Sequence, residues 1–195
     1  MRKFYKHLLI GLLLCSATVT QAATMSFTTN KAVGETFAIA MNPGLTVTVT
    51  WANGEKETFV TDGSMQTLTL ASSAFTLETD TEVTSLYVAG NGLTNMDLTN
   101  ISSSLKKLYC GNNELETLNL TNFKNLAEID AQGNKLTTFK VYGPQIVNGS
   151  DNQLATFAVS LLPRLKQVYL ADNQLKGLGV SSMTGVEQLF LQRNA

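Results

Sequence analysis

The feature that most constrains this chain is a short sequence motif that occurs six times at a spacing of about 21 residues. Within the copy from Leu105 to Leu120, apolar residues and one asparagine follow each other at steps of three and two. This spacing fits neither the 3.6-residue period of a helix nor the strict alternation of one long strand. Aligned on the asparagine, the copies are VTSLYVAGNGL, LKKLYCGNNEL, LAEIDAQGNKL, PQIVNGSDNQL, LKQVYLADNQL and VEQLFLQRN, starting at Val83, Leu105, Leu126, Pro144, Leu165 and Val186.

Such a repeat predicts a solenoid in which each copy forms one turn, because one turn cannot bury its own apolar face and stacked turns can. A short strand in each turn lies parallel to its neighbours, and alternate residues point inward. Each well-buried leucine or isoleucine contributes about 1.5–3 kcal/mol. The predicted inward pairs are Leu86/Val88, Leu108/Cys110, Ile129/Ala131, Val147/Gly149, Val168/Leu170 and Leu189/Leu191.

The phrase resembles the leucine-rich repeat, whose pattern is L-x-x-L-x-L-x-x-N/C-x-L. It is most similar to secreted bacterial repeats of the internalin type and to their 21-residue relatives in gut Bacteroidetes. The resemblance covers residues 83–195 and implies a right-handed coil with a parallel sheet on its concave face and extended or 3₁₀ segments on its convex side. The fourth copy departs from the pattern at Pro144 and Gly149, and three residues are missing before it, so we expect a local irregularity there.

The repeated asparagine has a structural interpretation. It stands where the chain bends out of the strand, so its side chain can bond backbone groups that the bend leaves unpaired. The sequence therefore predicts a ladder of buried amides formed by Asn91, Asn113, Asn134, Asn152, Asn173 and Asn194. Cys110 occupies the position of Val88 and Leu170, which indicates a core residue and not a reactive thiol.

Residues 23–82 lack the repeat and contain short alternating runs that predict strands. Asn53-Gly54 and Asp62-Gly63 are strong signals for hairpin turns between successive strands. We expect a small antiparallel β-sandwich that caps the solenoid, with a core of Val47, Val49, Phe59, Leu68 and Leu70 and with Trp51 packed nearby. The WANGEKETF turn is similar to the W-G-D-G turn of PKD-like domains, from which Ala52 and Asn53 depart.

Residues 1–22 have the features of a secretory signal peptide: a basic start, an apolar run too short to span a bilayer, and small residues before a cleavage site near Ala22. A lipoprotein signal with Cys15 as the lipidated residue is the alternative, although Leu14 does not fit the usual small residue before it. Cleavage would remove His7, the only histidine, and leave 11 basic and 15 acidic residues, a net charge of −4. We therefore expect secretion or surface display, with no later transmembrane segment and no nucleic-acid partner.

Solenoids commonly bind ligands on the sheet face that points outward. The central outward residue of the six copies is, in order, Tyr87, Tyr109, Asp130, Asn148, Tyr169 and Phe190. Residues beside them in the strands include Lys107, Glu128 and Gln167. Four aromatic rings in six places, against an aromatic content of 8%, favour a contact surface for a host or neighbouring-cell surface protein or for a glycan. The alternative is that tyrosine and phenylalanine are simply good strand formers.

An enzyme is not expected, and no cofactor or metal is predicted. The chain after residue 22 has no histidine and one cysteine, which excludes the usual zinc and Cys/His catalytic groupings. Glu128 and Asp130 share one strand, but on an open face we expect burial to raise neither pKa much. The last copy ends at Asn194-Ala195 without the leucine of the pattern, which favours a fragment of a longer protein. In that case the chain could alternatively be a structural spacer whose activity or anchor lies beyond residue 195.

Overall fold

The computed structural model describes residues 22–160, 164–178 and 183–195 of the 195-residue chain, so the proposed signal segment lies almost wholly outside the described residues. These ranges contain sixteen strands and a 3₁₀ helix at Thr99–Ile101. The strands are β1 (Ala23–Thr29), β2 (Thr36–Met41), β3 (Thr46–Trp51), β4 (Lys56–Val60), β5 (Gln66–Thr69), β6 (Ala74–Thr79), β7 (Ser85–Tyr87), β8 (Leu93–Asp97), β9 (Lys107–Tyr109), β10 (Thr117–Leu120), β11 (Glu128–Asp130), β12 (Thr138–Tyr142), β13 (Ile146–Asn148), β14 (Ala158–Ser160), β15 (Gln167–Tyr169) and β16 (Gln188–Phe190).

The repeats form a parallel β-solenoid, as predicted. One strand from each copy joins a long sheet in the order β7, β9, β11, β13, β15, β16, and every pair is parallel. The second residue of each of these three-residue strands is apolar. Its side chain points inward and packs against its counterparts in the neighbouring strands. They are Leu86, Leu108, Ile129, Val147, Val168 and Leu189.

All of these inward residues are fully buried except the last. Leu189 remains 39% exposed because β16 is the outermost strand of the long sheet and no turn lies over it. Its neighbour Leu191 is only partly buried for the same reason. The loss of burial in the outermost turn shows directly that stacking between turns, and not the fold of one turn, buries the apolar side chains.

The return limbs of the turns are extended, as the short repeat predicts. Strands β10, β12 and β14 form a second parallel sheet, in which Leu118 lies beside Phe139 and Leu120 beside Val141. The first return limb also contains the 3₁₀ turn at Thr99–Ile101, which follows β8. With about 21 residues to complete a turn, the limb has no length left for an α-helix of ordinary size.

The N-terminal strands are antiparallel, and they pair with two strands of the first repeat. Strand β2 pairs with β7 and also with β5, so it extends the long sheet beyond the first repeat. Strands β4, β3, β6 and β1 form a third sheet, and β8 of the first repeat pairs with β1 at its edge. One continuous apolar core runs through both regions, from Met25 and Phe27 to Leu175.

The two glycine turns of this region have different outcomes. Asn53-Gly54 does connect a hairpin, because β3 and β4 pair across it. The predicted hairpin at Asp62-Gly63 is wrong: β4 pairs with β3, whereas β5 pairs with β2 in the other sheet. The chain bends there, with the amide of Ser64 donating to the Asp62 carboxylate at 2.8 Å, but the bend carries it from one sheet to the other.

The buried hydroxyl of Thr61 explains why the chain leaves the first sheet at that point. Its oxygen accepts from the backbone amide of Leu45 at 2.9 Å and it donates to the carbonyl of Asn42 at 2.7 Å. These bonds fix the end of β4 to the start of β3. After the bend at Asp62-Gly63, β5 pairs with β2.

The fourth repeat keeps its strand in register, so the expected irregularity does not affect the long sheet. Strand β13 pairs with β11 and β15 without a shift. The shortening lies in the connection that precedes it, where three residues separate Tyr142 from Ile146 and Gly143 adopts a φ of 55°. Gly149 replaces an apolar side chain, and the ring of Phe139 fills that volume: a Cβ on Gly149 would lie 3.1 Å from it.

The repeated asparagines form a hydrogen-bond ladder, and five of the six bond the preceding turn. Asn134 is representative: its oxygen accepts from the amide of Leu115 at 3.0 Å, and its NH₂ group donates to the carbonyls of Cys110 and Ala131 at 3.1 and 3.0 Å. Asn113, Asn152, Asn173 and Asn194 repeat these contacts. Asn91, in the first repeat, instead bonds both backbone groups of Ala38 in β2.

Within the described ranges there is no helix of the length and apolar character needed to cross a membrane.

Candidate functional site

The outer face of the long sheet carries one continuous row of side chains from the six repeats. We call it the middle row, and it consists of Tyr87, Tyr109, Asp130, Asn148, Tyr169 and Phe190. The parallel register places each residue directly beside its counterpart in the next strand, at the usual spacing of about 4.8 Å. On β2 the row meets Ala40, whose small side chain leaves Tyr87 39% exposed.

The four rings of the middle row form two stacked pairs. Tyr87 and Tyr109 have ring centroids 3.9 Å apart and planes inclined by 14°. Tyr169 and Phe190 have centroids 5.0 Å apart and an angle of 6°. Both pairs follow from the parallel register, which brings rings at equivalent positions to about one strand spacing. Phe190 is 42% exposed, so apolar ring surface remains open to solvent at both ends of the row.

A depression of about 260 Å³ lies between the two stacks. It exists because two successive repeats place Asp130 and Asn148 where the other repeats place rings. Tyr109 and Tyr169 border it on opposite sides. Glu128, Ile146 and Gln167, each two residues before the middle-row residue of its strand, line it as well, together with Ile129. We call this depression, together with its two tyrosine walls, the central gap.

Short polar contacts order the floor of the central gap. The backbone amide of Gln132 donates to the Asp130 carboxylate at 3.1 Å, and the side-chain oxygen of Gln132 accepts from the Asn148 NH₂ group at 3.0 Å. The oxygen of Asn148 accepts from the amide of Ser150 at 3.2 Å. Gln132 therefore connects the two floor residues and fixes the orientation of both side chains.

The charges around the gap leave one carboxylate without a cationic partner. Lys107 forms an ion pair with Glu128 at 3.2 Å, across adjacent strands. Among the described residues, Asp130 takes part in none of the ion pairs, and its carboxylate accepts only from the Gln132 amide. The gap therefore carries a net negative charge.

Burial raises the pKa of Asp130, and the neighbouring Glu128 raises it further, although the bond from Gln132 opposes both. Partial burial of the carboxylate disfavours its ionised form, which is the cause of this direction. Burial, followed by the neighbouring Glu128 and Tyr87 side chains, also raises the pKa of the Tyr109 phenol. The face is less open than the sequence alone implies.

Other reactive groups lie away from this face. Cys110 is fully buried in the core, and burial raises the pKa of its thiol, so the reactive thiolate form is disfavoured. Within the described ranges, no group of three or more cysteine, histidine or acidic residues could hold a metal ion. What the middle row offers chemically is ring surface, one carboxylate and one side-chain amide.

Two contributors to the site were not singled out from the sequence. Gln132 organises the floor of the gap, and Gln188 accepts from the Tyr169 hydroxyl at 2.9 Å, holding that wall in place. Both stand in strand-flanking columns that the repeat alignment does identify. Residues at the same alignment column of neighbouring repeats lie side by side in the sheet, as Lys107 and Glu128 do. Comparing such residues in pairs would have identified Gln132 and Gln188.

Comparison with protein-family models gives no match, and comparison with curated proteins gives no significant match.

Proposed function

We propose that this chain is a secreted or cell-surface recognition module that binds a protein or a glycan on the outer face of its long sheet. The observation that carries the proposal is the pair of stacked aromatic clusters on either side of a polar gap. Stacked rings offer a large contact area with little conformational entropy to lose, because each ring is already held by its partner. The described face has no covering element that would make it a structural interior.

The family proposed for the repeats is the leucine-rich repeat, of the internalin-like bacterial type. Its support is the recurrent phrase itself together with the asparagine ladder, whose side chains bond the backbone of the preceding turn at every step. Under this assignment the long sheet is the concave face, which is the usual binding face of such solenoids. The N-terminal leader would direct the chain out of the cell, where a surface protein or glycan is the partner to expect.

The N-terminal strands are proposed to act as the cap of the solenoid. An open sheet end exposes unpaired backbone groups and apolar side chains. Strand β2 pairs with β7, and Ala38 satisfies Asn91, which has no preceding repeat to bond. The cap therefore supplies the contacts that a further turn would supply.

A binding screen tests the proposed function. The protein would be applied to arrays of host-surface proteins and of glycans, beside a variant carrying Tyr109→Ser and Tyr169→Ser. Tyr142→Ser is the matched control, because Tyr142 lies in the other parallel sheet at the end of β12. Binding that the double variant loses and the control keeps supports the proposal.

The opposite result has an equally definite meaning. Array binding that the folded double variant retains would reject the middle row as the binding surface. A complete absence of binding would favour the alternative function, a structural spacer within a longer surface protein.

A further inference from the structure

The walls and the floor of the central gap differ in chemistry. Tyr87 covers one face of Tyr109, and Phe190 covers one face of Tyr169. Because each stacking partner lies on the side away from the gap, the opposite face of each tyrosine ring is turned toward it. The floor between these two faces consists of a carboxylate, Asp130, and an amide, Asn148.

The width of the gap suits planar groups. Strands β9 and β15 are separated by two intervening strands, so Tyr109 and Tyr169 stand about 14 Å apart along the row. Stacked rings in proteins have centroids about 4.5–7 Å apart, and the two stacked pairs of this row have centroids 3.9 and 5.0 Å apart. Two planar groups, one above Asp130 and one above Asn148, would therefore continue the stack from one pair of rings to the other.

The charge of the gap selects among planar groups. Lys107 already neutralises Glu128, whereas Asp130 has no cation within the described ranges. A partly buried carboxylate is unfavourable in its ionised form, and a cation bound beside it offsets that cost. A ligand group that is both planar and positively charged thus matches the walls and the floor together.

We propose that the central gap is a subsite for an arginine side chain of a partner protein, with the guanidinium stacked on Tyr109 and hydrogen-bonded to Asp130. Guanidinium is planar, always charged and carries several N–H donors, and it stacks readily on aromatic faces. A lysine ammonium has the charge without the plane, and a neutral sugar has no charge for Asp130. This inference rests on the proposed function, because it names the partner class for the same face.

The test uses N-acetyl-L-arginine methylamide as the probe, titrated into the purified protein and followed through the NMR signals of the Asn148 side-chain amide and the Gln132 backbone amide. The citrulline analogue keeps the plane but removes the charge, and the lysine analogue keeps the charge but removes the plane. We expect the arginine probe to bind about ten-fold more tightly than either analogue, as charge-assisted bonding to a carboxylate implies. Asp130→Asn should weaken it by about the same factor.

Asp97→Asn is the matched control, because Asp97 lies in β8 on the other sheet and away from the gap. Equal binding of the citrulline or lysine analogue would overturn the arginine subsite, and so would arginine binding that Asp130→Asn leaves unchanged. Binding of maltohexaose in the gap without any response to the arginine probe would also overturn it, while leaving the face as a recognition surface. The proposed function is tested separately, by the arrays: it fails if array binding survives the tyrosine double variant or if no array binding is found.

Discussion

Asn91 and Asn113 are joined by a hydrogen bond of 2.9 Å, from the backbone amide of the first to the side-chain oxygen of the second, 22 positions later in the chain. The same oxygen accepts from the amide of Leu93 at 3.0 Å. The Asn113 side chain thus pairs two backbone amides at the bend of the preceding turn. The repeated asparagine therefore links each turn to the one before it.

Replacement of Asn134 by alanine should lower the free energy of unfolding by about 1–3 kcal/mol, because it leaves buried backbone groups unpaired. Asn134 is only 8% exposed and bonds backbone groups in both its own turn and the preceding one. Urea denaturation followed by circular dichroism measures the change. Asn95→Ala, at an exposed position of β8, is the control and should have little effect. Equal stability of Asn134→Ala and the wild type would refute a stabilising ladder.

Gly149→Val should destabilise the fourth repeat by about 1–3 kcal/mol through overpacking. A Cβ on Gly149 would lie 3.1 Å from the Phe139 ring and 3.2 Å from a methyl group of Leu170. Combining it with Phe139→Leu should recover part of the loss, since the smaller side chain frees the volume that the valine needs. Thermal unfolding of the two single variants and the double variant gives the coupling. Simple additivity of the two losses would show that Phe139 does not occupy the missing side chain's place.

Asp130→Asn should raise the stability of the protein at neutral pH. Burial raises the folded-state pKa of Asp130 above its ordinary value of 3.8. An acid with a raised folded-state pKa contributes most favourably below its unfolded pKa, and this contribution is lost as the pH rises through the folded-state pKa. The advantage of the variant should therefore vanish as the pH falls toward 3.8. Unfolding free energies of both proteins between about pH 3.5 and about pH 7.5 test the sign. A variant that is less stable than the wild type at neutral pH contradicts it.

The double variant Tyr109→Ser and Tyr169→Ser should remain folded but lose about 1–3 kcal/mol, because it removes one member of each stacked pair and each pair contributes about 0.5–1.5 kcal/mol. Differential scanning calorimetry measures the loss. Tyr142→Ser should cost a similar amount for a different reason, since its ring carries the Lys124 ammonium 3.4 Å from its centroid. Complete unfolding of the double variant would mean that the rings hold the long sheet together.

The solenoid could be predicted from the sequence because its cause is local and repeated. Inward and outward residues alternate in the same way in every turn, so inward residues such as Leu108 and Ile129 can be predicted from their position in the repeat. The partners of the N-terminal strands could not be predicted in the same way. Asp62-Gly63 encodes a bend, but the choice between β2 and β4 as partner for β5 depends on Thr61 and on residues far away in the chain.

The middle row was also predictable residue by residue, whereas its chemistry was not. The alignment places Tyr109, Asp130 and Tyr169 in one column, but it does not show that the two rings stand as walls beside the carboxylate. That environment arises only when four strands are assembled side by side. Solvation of a group depends on such neighbours, and a pKa inferred from one strand alone misses them.

Because each asparagine bonds only its own turn and the turn before it, a duplicated turn would find every contact it needs already present in the chain. Copying about 21 residues within a gene would lengthen the outer face of the long sheet by one strand, about 4.8 Å, and add one more position to the middle row. The length of the face can thus change by duplication, without compensating substitutions in the turns on either side. A turn added outside the range from β9 to β15 would leave Asp130 and Asn148 between Tyr109 and Tyr169. The length of the row could therefore change while the central gap stays the same.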